Sequence, residues 1–221
     1  MNTWIAIVVL LVAVAAVAMM RERWRLRAID QWAGARGLMR RFPVPADGPQ
    51  PAAALVRHLT IHGARLWGTI LEGTLDGVAV TIAEHESSVP GRKTGHWHTI
   101  MTWPATGESG RIVIKRGRSS AVLADAAEAV IAAVRLPPGA ASADSGLHTV
   151  ETPGGWVIGG EAATVDHWLT PEKTRDLDAW PHGGTFVREG GSAAWRMSGN
   201  IATDTLQRIQ EGLPVARRLL G

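Results

Sequence analysis

Three histidines are the residues whose spacing first suggests chemistry. His85 closes one alternating apolar run, and His96 and His98 open another, with Glu84 and Glu86 alongside. If the two runs pair as strands across the loop 86–95, His85 comes near His96 or His98. Imidazole and carboxylate groups together suit zinc, nickel or iron, and the same groups can exchange protons. His96 and His98 would share one strand face and Trp97 would take the other. Spacing alone carries no geometry, and the plainer reading is a polar hairpin end bearing solvated histidines. A further pair, His58 and His62, lies at i, i+4 with no general-base glutamate and no third ligand, and reads as a surface or capping pair. Arg92 and Lys93 in the loop, with Arg116 beyond it, could converge on an anionic ligand. Arg111, Lys115 and Arg118 extend the same basic rim, which otherwise reads as a solvated face.

Other chemistries are absent from the sequence. There is no phosphate-cradling G-x-x-x-x-G-K-[ST], no G-x-G-x-x-G between strand and helix, and no G-x-S-x-G elbow. No cofactor is expected. The chain has no cysteine, which removes disulfides, thiolate metal sites and a cysteine nucleophile. The net charge of +3 is unevenly spread. Residues 21–41 carry seven arginines against two acids, a balance of +5, while the rest from Phe42 onward has 16 basic and 18 acidic residues, or −2. A nucleic-acid-binding domain carries the positive footprint itself, so no nucleic-acid partner is expected.

The elements that must position these residues begin with an anchor. Residues 4–20 contain no charge, glycine or proline. As a helix the run is about 25 Å long, near the ~30 Å hydrocarbon core of a bilayer. Its nine Ile, Val and Leu residues favour insertion by about 4 kcal/mol together. Trp4 and Trp24 are placed for the two interfaces, and Arg21, Arg23, Arg25 and Arg27 follow the run. The positive-inside bias then predicts a single-pass anchor in the inner membrane, N-terminus outside and body cytoplasmic. The competing expectation is a cleaved signal, since Ala13-Val14-Ala15 and Ala16-Val17-Ala18 are small-x-small. The charge follows the run rather than preceding it, which favours the anchor.

Helical periodicity continues from Arg21 to Arg36 through Trp24, Ala28 and Trp32, with Gly37 placed to end it. Residues 1–41 are thus read as anchor and Arg-rich juxtamembrane helix, with Ile29 to Leu38 packing on the body. Residues 42–51 form a Pro-rich linker and 52–221 a globular domain, with a possible sub-boundary near 137–146. Residues 52–61 read as a short helix. Leu75-Asp76-Gly77-Val78 is a hairpin signal that pairs Leu71 with Ile82 and Gly73 with Val80. It puts Trp67, Leu71, Leu75, Val78, Val80 and Ile82 on one face, and Glu72, Thr74, Thr81 and His85 on the other. Strands at 96–103 and 111–115 would continue an antiparallel meander. Residues 120–135 read as an amphipathic helix. Hairpins are expected around Pro153-Gly154-Gly155 and Glu189-Gly190-Gly191-Ser192, with a short helix capped by Thr170 between them. A last helix carries Leu206, Ile209, Leu213, Ala216 and Leu220 on one face, and Pro214 should kink or split it. The fold class is α+β: an N-terminal transmembrane helix, then an antiparallel sheet with helices on one face. The tryptophans of the body should be mostly core.

Anchor, Arg-rich stalk, Pro-rich connector and then Leu66-x-Gly68…Leu75-Asp76-Gly77-Val78-x-Val80 resemble uncharacterised bacterial single-pass membrane proteins with a small α+β cytoplasmic body. The resemblance covers about the first half of the chain and implies no activity. The leading function is non-catalytic: a membrane-tethered module that binds a protein partner or serves a membrane complex. Alternatives are a sensory module for a small ligand or lipid headgroup, and a histidine-based metal hydrolase.

Overall fold

The computed structural model describes residues 2–41, 64–87, 96–106, 110–116, 147–189 and 191–221. The Pro-rich linker, the helices expected at 52–61 and 120–135, the His58/His62 pair, and Arg92, Lys93 and Arg118 lie outside the described residues.

Helix α1, Asn2–Gly34, is continuous for 33 residues. At about 1.5 Å per residue it extends roughly 50 Å, twice the length of the apolar run. Its first part is exposed throughout, while Ile29 and Ala33 are buried. Gly37 adopts φ +73°, and the chain turns directly into strand β1, Leu38–Arg41. The stretch after the stalk helix therefore belongs to the sheet, which the helical pattern did not foretell.

Eight further strands follow: β2 Ala64–Leu75, β3 Val78–Ser87, β4 His96–Pro104, β5 Ile112–Arg116, β6 Leu147–Glu151, β7 Trp156–Glu161, β8 Thr185–Glu189 and β9 Ser192–Ser198. With β1 they form, among the described residues, one antiparallel sheet of nine strands in the order β1-β2-β3-β4-β9-β8-β5-β7-β6. The β2–β3 hairpin has the expected register, Leu71 opposite Ile82 and Gly73 opposite Val80. Asp76 and Gly77 both have positive φ, 50° and 78°, as a type I′ turn requires.

The simple meander is corrected at β5. This strand does not pair with β4 but lies between β8 and β7. The β8–β9 hairpin intervenes, and β9 matches β4 over seven residue pairs, His98 to Pro104 against Ser198 to Ser192. The five-residue β5 could not fill that edge as fully. With Ile112, Val113 and Ile114 all buried, β5 gains a neighbour on each side.

The described residues add three helices to the layer: α2 Ala162–Trp168, α3 Pro171–Asp178 and α4 Thr203–Leu220. The Thr170 hydroxyl accepts from the Lys173 backbone N–H at 3.3 Å, and Pro171 occupies the first turn, as expected. Helix α4 runs through Pro214 without a break, contrary to the expected split. An internal proline costs about 3 kcal/mol. Leu213, Leu219 and Leu220 are all buried around it and contribute roughly 1.5–3 kcal/mol each, so packing wins.

One core joins α1 through Ile29 and Ala33 to the sheet face bearing Leu71, Val80, Ile82, Met101, Trp156 and Trp195. Helix α4 packs on the same face through Leu206, Ile209 and Leu213. The described helices thus share one side of the sheet. Strand alternation puts Ile70, Ala83, Ile100, Val113, Val187 and Ala194 on the opposite side, and these are buried too. Trp103, Trp156, Trp168, Trp180 and Trp195 are core residues, while Trp4 and Trp24 stay exposed at the two ends of the apolar run.

Close approach of α4 to this aromatic core depends on Gly212. A Cβ there would come within 2.6 Å of the Trp180 ring and 2.9 Å of the Trp195 ring. Gly212→Ala gains about 1 kcal/mol of helix propensity. Overpacking against two buried rings costs about 1–3 kcal/mol. The expected net result is a lower midpoint in thermal unfolding of the detergent-solubilised chain; a raised midpoint would contradict this packing.

Candidate functional site at the foot of the anchor helix

The histidine hairpin takes a form different from the solvated one. His85 and His98 face each other across β3 and β4, with ring centroids 5.4 Å apart and an interplanar angle of 30°. Both are buried. His96 pairs with Ser87 two positions along the strand; the side chain of His96 lies outside the described residues, as does that of Trp67. Arg196 Nη2 lies 3.3 Å from His98 Nε2. Burial, then the charges of His98 and Arg196, push the His85 imidazole down to about 3. His85 is thus held neutral, and the neighbouring Arg196 guanidinium disfavours an added cation there. Among the described residues no group of three or more His, Asp or Glu side chains is placed to hold a metal ion. Arg116, the one described member of the anionic-ligand candidates, is exposed at the end of β5 with its guanidinium 5.0 Å from the Trp156 ring centroid.

This depressed imidazole has a consequence for stability. The unfolded chain binds a proton at His85 near pH 6.5, and the folded chain does so only near pH 3. Folding stability therefore falls as pH drops between these values, by up to about 1.4 kcal/mol per pH unit from this group. The window from pH 6.5 to 5 lies above most carboxylate titrations; burial also pushes the His182 imidazole down, so the difference between the parent chain and His85→Gln reads His85 alone. Across it the stability of the parent chain should fall by about 1.7 kcal/mol more than that of His85→Gln.

The most connected polar residue is Glu84, the neighbour of His85 in sequence but on the helix-covered face. Its side chain is 2% exposed. The ladder between β2 and β3 slips between Trp67 and Ile70, so that Gly68 and Thr69 together stand opposite Glu84. This bulge turns the Thr69 backbone N–H toward Glu84 Oε2, at 2.8 Å. Oε1 accepts from the Ile201 backbone N–H at 2.7 Å and from Arg25 Nη1 at 2.5 Å. The same guanidinium donates to the Ile201 carbonyl at 2.7 Å and to both oxygens of Glu22, at 2.9 and 2.7 Å. One carboxylate therefore ties α1 to β2, β3 and the connection from β9 to α4. A Cβ at Gly68 would lie 2.5 Å from Glu84 Oε2, so only glycine leaves the carboxylate its place.

An open cleft of about 410 Å³ lies over this junction. Its floor holds Arg25 and Glu84, and its walls include Glu22, Arg41, Trp97 and Asn200. Arg40 pairs with Asp30 and Arg41 with Glu72. The sequence pointed to Arg25 as a topology charge and to Glu84 only as a companion of the histidines. The signal that singles out Glu84 is its phase: Val80, Ile82 and Glu84 alternate onto one face, and a carboxylate on a core face needs a partner.

Fold and site define an α+β chain with one antiparallel sheet, helices on one face, and an N-terminal helix long and apolar enough to cross a membrane. No protein-family profile matches the sequence, and no curated protein matches it. Among solved structures, the crystal structure of the mycobacterial trehalose monomycolate transport factor A, TtfA, is similar, with a TM-score of 0.54 and 11% identity over 88% of this chain and 95% of that chain. At that identity the likeness is one of fold.

Proposed function

We propose that the chain is a membrane-tethered accessory factor, with no catalysis of its own, that engages a protein partner in a membrane transport assembly. Residues 4–20 hold it in the bilayer. The arginines that follow keep its body on the cytoplasmic side of the inner membrane. The observation that carries this reading is the unbroken α1, which passes from the apolar run into the core of the sheet and is pinned there by Arg25 and Glu84. Such a body is held at the membrane surface, where tethering raises its effective concentration for a membrane partner to the millimolar range. The likeness in fold to a transport factor supports the same class of role.

Crosslinking in native membranes tests this. The full chain should capture a defined integral membrane protein, and capture should be lost when residues 4–20 are deleted while the body is still made. Recovery of this polypeptide alone from mild detergent and from crosslinked membranes, across growth conditions, would refute the reading.

A further inference from the structure

Above the junction that holds α1 to the sheet, the rim of the cleft carries further charge. Its floor is a closed pair, Arg25 with Glu84. Its rim offers one half-exposed group of each sign. Glu22 has a side chain 52% exposed and Arg41 one 63% exposed, and each already contacts an opposite charge within the protein. Counting those contacts, three guanidiniums face four carboxylates around the opening, through Asp30 and Glu72. A simple anion gains nothing from such a field. A zwitterion does, because its two ends can each meet a complementary group.

Depth supplies the second constraint. Arg25 lies five residues beyond Met20, about 7–8 Å further along the helix. The polar layer outside the hydrocarbon core is about 5–8 Å thick on each side. With residues 4–20 in the bilayer, the cleft opens into the headgroup layer. Trp97 and Leu26 give the cleft apolar wall, and the indole can also face an ammonium group.

We propose that this cleft binds the headgroup of a phospholipid bearing a phosphate and a primary ammonium, as in phosphatidylethanolamine. The ammonium donates to Glu22, whose oxygens retain lone pairs beyond those given to Arg25, and the phosphate accepts from Arg41. The inference rests on α1 lying in the bilayer and is independent of the protein partner.

Native mass spectrometry of the full chain, purified in mild detergent and titrated with phosphatidylethanolamine, phosphatidylcholine or phosphatidylglycerol, reads this out. Phosphatidylethanolamine should be retained at least fivefold more than either of the others. Glu22→Gln and Arg41→Ala should each bring its retention down to the level of phosphatidylcholine, with the near-UV spectrum of the tryptophans unchanged. Free O-phosphoethanolamine should displace the lipid only at millimolar concentration. Equal retention of the three lipids, undiminished retention in both variants, or displacement by micromolar O-phosphoethanolamine would each overturn the assignment. Partner capture from membranes is scored separately, so failure here leaves that reading standing or falling by itself.

Discussion

Glu84→Ala is expected to destabilise the chain by about 3–5 kcal/mol, the range for breaking a buried ion pair from one side. The loss has identifiable parts. The Thr69 and Ile201 N–H groups, which donate to the two carboxylate oxygens, would be left buried without an acceptor, at about 1–3 kcal/mol each. Arg25 would keep Glu22 and the Ile201 carbonyl, so its charge would not be wholly uncompensated. Glu84→Gln keeps one acceptor oxygen and should cost roughly half as much. Arg25→Ala should fall between the two, since it strands the carboxylate but leaves both backbone donors satisfied. The measurement is chemical unfolding of the detergent-solubilised chain, followed by tryptophan near-UV signal. A loss below 1 kcal/mol for Glu84→Ala would mean that this junction does not hold the helix to the sheet.

Charge placed within the apolar run should have an equally large effect on where the chain resides. The nine branched aliphatic residues of the run supply about 4 kcal/mol toward insertion. An arginine at the centre of a transmembrane helix opposes insertion by about 2.5–3.5 kcal/mol. One substitution, Val9→Arg, should leave insertion near balance. The double substitution Val9→Arg with Val12→Arg should exceed it and move the protein from the carbonate-resistant membrane pellet into the soluble fraction. The body should stay folded there, because none of the apolar run is buried against it. Continued carbonate-resistant sedimentation of the double variant would point to a membrane attachment other than α1.

The local features of the fold were legible, because each depends on a few adjacent residues. The Asp76-Gly77 turn set the β2–β3 register, Thr170 and Pro171 set the start of α3, and the period of Leu206, Ile209, Leu213 and Ala216 set the buried face of α4. Non-local pairing was not legible. Nothing in Ile112-Val113-Ile114 states that β7 and β8, rather than β4, will be its neighbours; the length of the β4–β9 ladder decides it. Pro214 does not split α4 for a related reason, since a local penalty is outweighed by burial that only the assembled core supplies. The histidines were placed together correctly in part, with His85 against His98, yet their burial was not readable from a polar strand end. Glu84 and Arg25 are 59 residues apart, and only the fold brings the arginine of a membrane stalk onto a core carboxylate.

The most direct test of the account asks on which side of the membrane each end of this helix-and-sheet unit lies. The chain contains no cysteine, so single cysteines can be read without background. Thr3→Cys and Asp204→Cys would be labelled separately in intact cells with a membrane-impermeant maleimide. The expected result is labelling of Thr3→Cys from outside, labelling of Asp204→Cys only after permeabilisation, and a mature chain that retains residues 4–20. Labelling of Asp204→Cys in intact cells, or a mature chain that starts after Ala15 or Ala18, would contradict it.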